Sequence, residues 1–185
     1  GGVRGVMCSL LPALLLPAAL AAAAPPQQQG AMVSVADFGA LGDGVHDDTD
    51  AVQAAMDALC PHAQVGDNSC KVSGANLTGG ILLFPVGTYR ISRTLNTSGT
   101  GNFLMGSGSG LWSYPVLLWA GPENGTMIAV GDFHSGFRLE NFALDGNRRA
   151  AHLVHVRVRI NPSGSTHNPQ LANLAFTGYR SYALV

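Results

Sequence analysis

From residue 79 onward, apolar residues occur in short runs (ILLF, TYRIS, FLM, VLLWA, MIAV, FRLENFAL, LVHVRVRI and LANLAF) broken by Gly, Asn, Ser and Pro. Runs of four to eight β-branched and aromatic residues bounded by such breakers predict strands. Their number excludes a helical bundle. Only one segment has a helical period: Val52, Ala55, Met56 and Leu59 fall at i, i+3, i+4 and i+7 and predict an amphipathic helix over about residues 49–60, stopped by Pro61. Asp48, Thr49 or Asp50 is expected at its N-cap, and Asp50 with Gln53 has capping-box spacing.

Two of the β-rich runs repeat. LENFALDG at residues 139–146 and LANLAFTG at residues 171–178 share Leu, Asn, Ala and Gly at positions 1, 3, 5 and 8, with an offset of 32 residues. A period of this size predicts one structural unit stacked on the next, a β-solenoid coil of two or three strands with loops. Like residues then lie on like residues, so Asn141 and Asn173 are expected to form an amide ladder at a turn. Hairpin dipeptides are scarce, which argues against a sandwich. A solenoid exposes its core at each end and needs a cap. The amphipathic helix supplies one, and Gly39, Gly42 and Gly44 permit the sharp approach to it.

Composition refines this picture at the edges. Arg4 precedes a nearly uncharged Leu- and Ala-rich stretch at residues 9–24 that ends in small residues, the order of a secretory signal. Pro12 and Pro17 interrupt it, and it is shorter than the roughly 20 residues a membrane span needs. The expected organisation is a signal peptide at 1–24, a linker at 25–31 and a single β-solenoid domain at 32–185. Cleavage would remove Cys8 and leave Cys60 and Cys70 as a pair in an oxidising compartment, where a disulfide is expected. Three sequons, at Asn76, Asn96 and Asn124, lie in glycine-rich or polar stretches and suit glycosylation of a secreted, extracellular protein. Charge is sparse and balanced, 10 Lys and Arg against 11 Asp and Glu, which argues against nucleic acid or, after signal cleavage, a membrane surface as partner.

Two motifs carry a family resemblance: VADFGALGDGVHDDTDAVQAAMDA at residues 35–58 and GGILLFPVGTYRIS at residues 79–92. With them the chain resembles the N-terminal portion of the pectate-lyase-like, right-handed parallel β-helix proteins, within the group of rhamnogalacturonase-type hydrolases, exo-β-1,3-glucanases, uronan epimerases and phage tailspikes. The resemblance implies an all-β, right-handed parallel β-helix with an N-terminal amphipathic capping helix. It implies a secreted protein acting on a plant- or algal-type polysaccharide of the pectin or β-glucan class. Glycoside hydrolysis is the first expectation; lyase or epimerase activity, or a noncatalytic carbohydrate-binding or adhesive scaffold, is the alternative. No cofactor is expected, with calcium added only for a lyase. In the family's hydrolases the acidic catalytic residues lie on later coils, so the chain is expected to stop, C-terminally truncated, after about three coils with its active site incomplete.

Hydrolysis of a glycosidic bond needs two carboxyl groups about 5 to 9.5 Å apart. The head aspartates are better suited to local structure, with Asp47, Asp48 and Asp50 as caps and Asp37 and Asp43 as turn formers. Their oxygen-rich loop also invites calcium, without EF-hand spacing. Asp145 is the single candidate acid: it ends a strand where the second copy of the repeat has Thr177. In LVHVRVRI, alternation sets Val154, Val156, Val158 and Ile160 against His155, Arg157 and Arg159, a basic row suited to an acidic polysaccharide. Asp132 with His134 forms a second polar group, better suited to an exposed loop, and Trp112, Tyr114 and Trp119 are weaker candidates for stacking on sugar rings.

Overall fold

A computed structural model describes Gly1 and residues 32–59, 71–72, 75–76, 80–97, 103–110, 113–130, 137–156 and 169–185. The expected disulfide partners Cys60 and Cys70, the signal and linker, Trp112, Asp132, His134, Arg157 and Arg159 lie outside the described residues.

The chain runs β1 (Met32–Ser34), a 3-10 turn (Val35–Phe38), β2 (Asp43–Asp47), α1 (Thr49–Ala58), β3 (Lys71–Val72), β4 (Ala75–Asn76), β5 (Ile81–Phe84), β6 (Thr88–Ile91) and β7 (Leu95–Thr97). It continues through β8 (Phe103–Gly106), β9 (Val116–Trp119), β10 (Thr126–Val130), β11 (Arg138–Asp145), β12 (His152–Val156), β13 (Gln170–Thr177) and β14 (Tyr182–Leu184). Each strand expected from the runs in the described residues is present. Apart from the short antiparallel β3–β4 pair, every described pairing is parallel and joins strands of successive turns of the chain.

Three columns of strands result. Face one stacks β1, β5, β8 and the first half of β11; face two stacks β2, β6, β9 and the second half of β11; β13 lies along both halves of β11. Face three stacks β7, β10, β12 and β14. The layers are β1–β2–α1, β5–β6–β7, β8–β9–β10, β11–β12 and β13–β14, five turns where the sequence suggested about three.

Register explains the core. Val33, Leu82, Leu104, Leu139 and Leu171 form one inward column; Tyr89, Leu117, Leu144 and Phe176 form the second; Leu95, Ile128, Val154 and Leu184 form the third. The middle members of each are fully buried, and Phe84 packs edge-on against both Tyr89 and Phe142 at ring-centroid separations of 5.4 and 5.0 Å. Like residues thus stack on like, as the repeat implied, with Leu139 opposite Leu171 and Ala143 opposite Ala175, while the divergent Asp145 lies opposite Thr177.

Asn141 and Asn173 turn the corner between the first two faces. Both adopt the left-handed region, at φ 62 and 52, which Asn tolerates better than other non-glycine residues. The Asn173 side-chain amide donates to Asn141 Oδ1 at 3.0 Å, the predicted ladder, and Asn141 in turn donates toward Gly106 O at 3.5 Å.

Helix α1 buries Val52, Ala55 and Met56, the predicted stripe, against the 3-10 turn, β6 and β7. Among the described residues the first layer has no third-face strand, and α1 lies beside β7 in that place. Gln53 completes the substitution chemically: its Nε2 donates to Asn96 O at 2.9 Å, and its Oε1 accepts from Asn96 N at 2.9 Å. One side-chain amide therefore satisfies a donor and an acceptor on the β7 edge, as a neighbouring strand would. Gln53 is committed there and forms no capping box with Asp50, which pairs instead with Arg93.

Candidate functional site

The head aspartates are consumed locally. Asp37 and Ser34 form a capping box on the 3-10 turn. Asp43 accepts from the backbone N–H groups of Val45 and His46 at 2.8 and 2.9 Å and bonds His46 Nδ1 at 2.6 Å. The His46 side-chain bond, followed by the two backbone bonds, holds its pKa at about 2. Asp48 is buried at the N-cap position without capping α1. Its two oxygens reach back to accept from Leu41 N (2.7 Å) and Gly42 N (3.2 Å), fastening the glycine turn. Asp47 accepts from Thr49 N at 3.1 Å and from the Thr49 hydroxyl. Partial burial works to raise its pKa, but hydrogen bonds from Ser92 and Thr49 and the charge of Arg90 hold it below the ordinary value. These oxygens already accept hydrogen bonds from nearby backbone and side chains, and among the described residues no three acidic, His or Cys side chains converge.

The corner between faces two and three differs. Asp145 ends β11 with Leu118 and Thr177 as its neighbours in adjacent layers. Its Oδ1 accepts from Asn147 N at 2.8 Å. Gly178, at φ 62, is required beside it: a Cβ there would stand 2.4 Å from Asp145 Oδ1 and 2.8 Å from Asn147 N. The registers Asp145↔Thr177 and His152↔Tyr182 show that seven residues step round this corner in one layer and five in the next. The longer corner carries two consecutive left-handed residues, Asn147 at φ 51 and Arg148 at φ 57. Beside the shorter one it leaves an open depression of about 430 Å³ lined by Asp145, Asn147, Arg148, Thr177 and Gly178.

Bonds from three layers fix this strained turn. Asn147 Nδ2 donates to Trp119 O at 3.2 Å, Arg148 N to Gly178 O at 2.6 Å, and Arg149 Nε to Gly121 O at 3.2 Å. Glu123 and Arg180 pair at 3.0 Å across the same corner.

The remaining expected sites scatter. His155 lies half-buried on β12, opposite Ala129 of β10 and 5.9 Å from the His152 ring; with Arg157 and Arg159 outside the described residues, only this member of the basic row is placed. Asn96 and Asn124 are exposed, as sequons require; Asn76 ends β4. Trp119 is buried and donates to Pro122 O at 3.1 Å, a packing role rather than a sugar platform. Sequence reasoning selected Asp145 and missed Asn147, Arg148 and Gly178. Their signal is the contrast between NRRAA, which separates Gly146 from His152, and YRS, which separates Gly178 from Tyr182, two residues that can be matched only by the register of the third face.

The profile of the family described as "Rhamnogalacturonase A/epimerase, pectate lyase-like" matches residues 32–117. Over 123 residues, 62% of this chain, the sequence is 34% identical to mannuronan C5-epimerase AlgE5 and 32% identical to AlgE4, both of Azotobacter vinelandii. These matches cover 11% and 20% of those proteins, so the chain spans only a small part of the curated relatives. A shorter match, 41% over 59 residues (32% of this chain and 6% of the relative), links it to plasmin and fibronectin-binding protein A of Streptococcus pneumoniae. Among solved structures, the Azotobacter vinelandii AlgE4 A-module superimposes with a TM-score of 0.58 at 25% identity, covering 80% of this chain and 39% of the module. The AlgE6 A-module superimposes with the same score at 24% identity, covering 82% and 40%. Parallel three-faced stacking, the head motif and these relatives agree: the chain resembles the pectate-lyase-like parallel β-helix superfamily and shares its fold.

Proposed function

We propose that this chain forms the capped first coils of a secreted enzyme that inverts C5 of uronic acid residues within an acidic polysaccharide. The observation that carries the reading is its 32–35% identity, over 120–123 residues, to proteins named mannuronan C5-epimerases. It takes the place of glycoside hydrolysis, the first expectation from sequence. The place of α1 beside β7, where the first layer has no third-face strand among the described residues, and the Gln53 amide support the capping role. The signal-like residues 9–24 and the exposed Asn96 and Asn124 support secretion and glycosylation.

The three reactions open to such a fold differ in the bond each breaks and the product each leaves. Epimerisation removes the C5 proton, which the neighbouring carboxylate makes acidic, and returns a proton to the opposite face; the chain stays intact. A lyase removes the same proton and expels the C4 oxygen, leaving an unsaturated end. A hydrolase leaves C5 untouched and creates a reducing end. Incubating the full-length protein with mannuronan in D2O and tracking it by proton NMR separates them. The expected result is guluronate signals lacking the C5 proton, with constant polymer length. New reducing ends with neither C5 exchange nor unsaturated ends restore the hydrolase reading.

The pneumococcal match favours a second reading, a noncatalytic adhesive or carbohydrate-binding scaffold, because a protein named for binding shares a 59-residue stretch with this chain. In the same experiment it predicts unchanged polymer, with retention on a mannuronan column.

A further inference from the structure

At the corner between faces two and three, a carboxylate and a guanidinium line one depression without pairing. Asp145 and Arg148 both border it, yet among the described residues neither is in an ion pair. The Arg148 side chain is exposed and makes no hydrogen bond to the described residues, and one Asp145 oxygen accepts only a backbone N–H. The other exposed arginines bordering this corner and the head motif are engaged: Arg93 with Asp50, Arg149 with Gly121 O, Arg180 with Glu123. Arg148 alone of these is left over.

Its backbone is also the least comfortable. A bulky side chain at positive φ is an outlier that persists only where its surroundings over-determine it, and such outliers cluster at binding sites. Here three layers impose the conformation, through Trp119 O, the Asp145 carboxylate and Gly178 O. The corner is two residues longer than in the next layer and one shorter than the Leu118–Thr126 corner of the layer below, and of the three it alone carries two consecutive left-handed residues. Glycine would fit φ 57 without strain. An arginine there is explained by its charge.

We infer that this depression is a subsite for one uronic acid residue of the polymer, with Arg148 binding the sugar carboxylate and Asp145 accepting from a ring hydroxyl. The inference rests on the acidic-polysaccharide reading above and adds a specific position to it. The donor set suits the ligand. A guanidinium offers parallel N–H groups matched to a carboxylate, and a carboxylate is the strongest acceptor for a sugar hydroxyl. The 430 Å³ depression is of the size of a small-ligand pocket. Thr177, with a short side chain, and Gly178, with none, also line it and leave the room.

Binding of oligomannuronate and of a neutral manno-oligosaccharide of equal length, measured by calorimetry on the full-length protein, tests it. Wild type is expected to prefer the acidic oligomer. Arg148→Gln is expected to lose about tenfold in affinity for it, the worth of one charge-assisted bond, with no change toward the neutral oligomer. Arg148→Gly is expected to lose binding equally while melting no lower than wild type, since it relieves the left-handed strain; loss of binding with retained stability excludes misfolding as the cause. Wild-type affinity for oligomannuronate in both variants overturns the subsite and leaves the proposed function standing. Failure of wild type itself to prefer the acidic oligomer overturns the acidic-polysaccharide reading on which the subsite depends.

Discussion

Asp47 and Asp145 occupy the same outward row of face two, near opposite ends of the stack: Asp47, Arg90, Leu118, Asp145 and Thr177 are successive partners. Each carboxylate accepts from the backbone N–H two residues on, Asp47 from Thr49 and Asp145 from Asn147. What surrounds them differs. Asp47 has a cation, Arg90, as its neighbour in the next layer and two hydroxyl donors, Thr49 and Ser92. Asp145 has Leu118 and Thr177, and no charge partner among the described residues. The same local device is surrounded by further donors at one end of the row and has a single backbone donor at the other, because neighbours one coil away decide whether a carboxylate has capacity to spare.

The largest test of this contrast removes one acid from each region. Asp48 is buried and its two oxygens satisfy Leu41 N and Gly42 N. Asp48→Ala leaves two part-buried donors unpaired and is expected to cost about 3 kcal/mol in urea unfolding. Asp145→Ala removes one bond at a half-exposed turn and is expected to cost about 1 kcal/mol. Equal costs would mean that the corner acid is as structural as the head acids.

Next comes the glycine that lets Asp145 sit where it does. Gly178→Ala adds a Cβ 2.4 Å from Asp145 Oδ1 at a φ of 62, so both strain and a clash must be relieved. A destabilisation of about 2 kcal/mol is expected by thermal unfolding, with displacement of the Asp145 turn. Gly39, also at positive φ but with nothing within 4 Å of its Cβ position, provides the control: Gly39→Ala is expected to cost about 1 kcal/mol, from strain alone.

These contrasts also mark what the sequence made legible. Periodicity within a run, such as the Val52, Ala55, Met56 stripe, needs only the residues themselves, and the structure buries that stripe as expected. The 32-residue repeat supplied register on faces one and two, so the Asn141–Asn173 ladder came from identity at matched positions. Gln53 was misassigned because its partner, the Asn96 backbone, is 43 residues away and carries no side-chain signature. Arg148 was missed for a related reason. The corner is two residues longer in one layer than in the next, which is visible only once His152 is set opposite Tyr182 on a third face that the repeat does not cover. Asp145 was found because its divergence from Thr177 lies inside the repeat.

The smallest expected effect is electrostatic and concerns the head alone. Asp43 has its pKa lowered from 3.8 to about 2, by the His46 side chain first and then by the His46 and Val45 N–H groups; Asp47 is lowered as well. A folded-state value below the unfolded one means that the unfolded chain binds more protons in that range. The contribution is therefore complete above about pH 4 and is lost as pH falls through the folded value, near 2 for Asp43. Asp43 is exposed at the surface, so the loss is small, and it is best read from carbon-13 titration of the side-chain carboxyl, whose midpoint is expected near 2. His46→Ala removes the largest cause and is expected to move that midpoint upward by more than substitution of any other neighbour. An unchanged midpoint would show that the two backbone donors hold the carboxylate without help, leaving His46 available to face solvent.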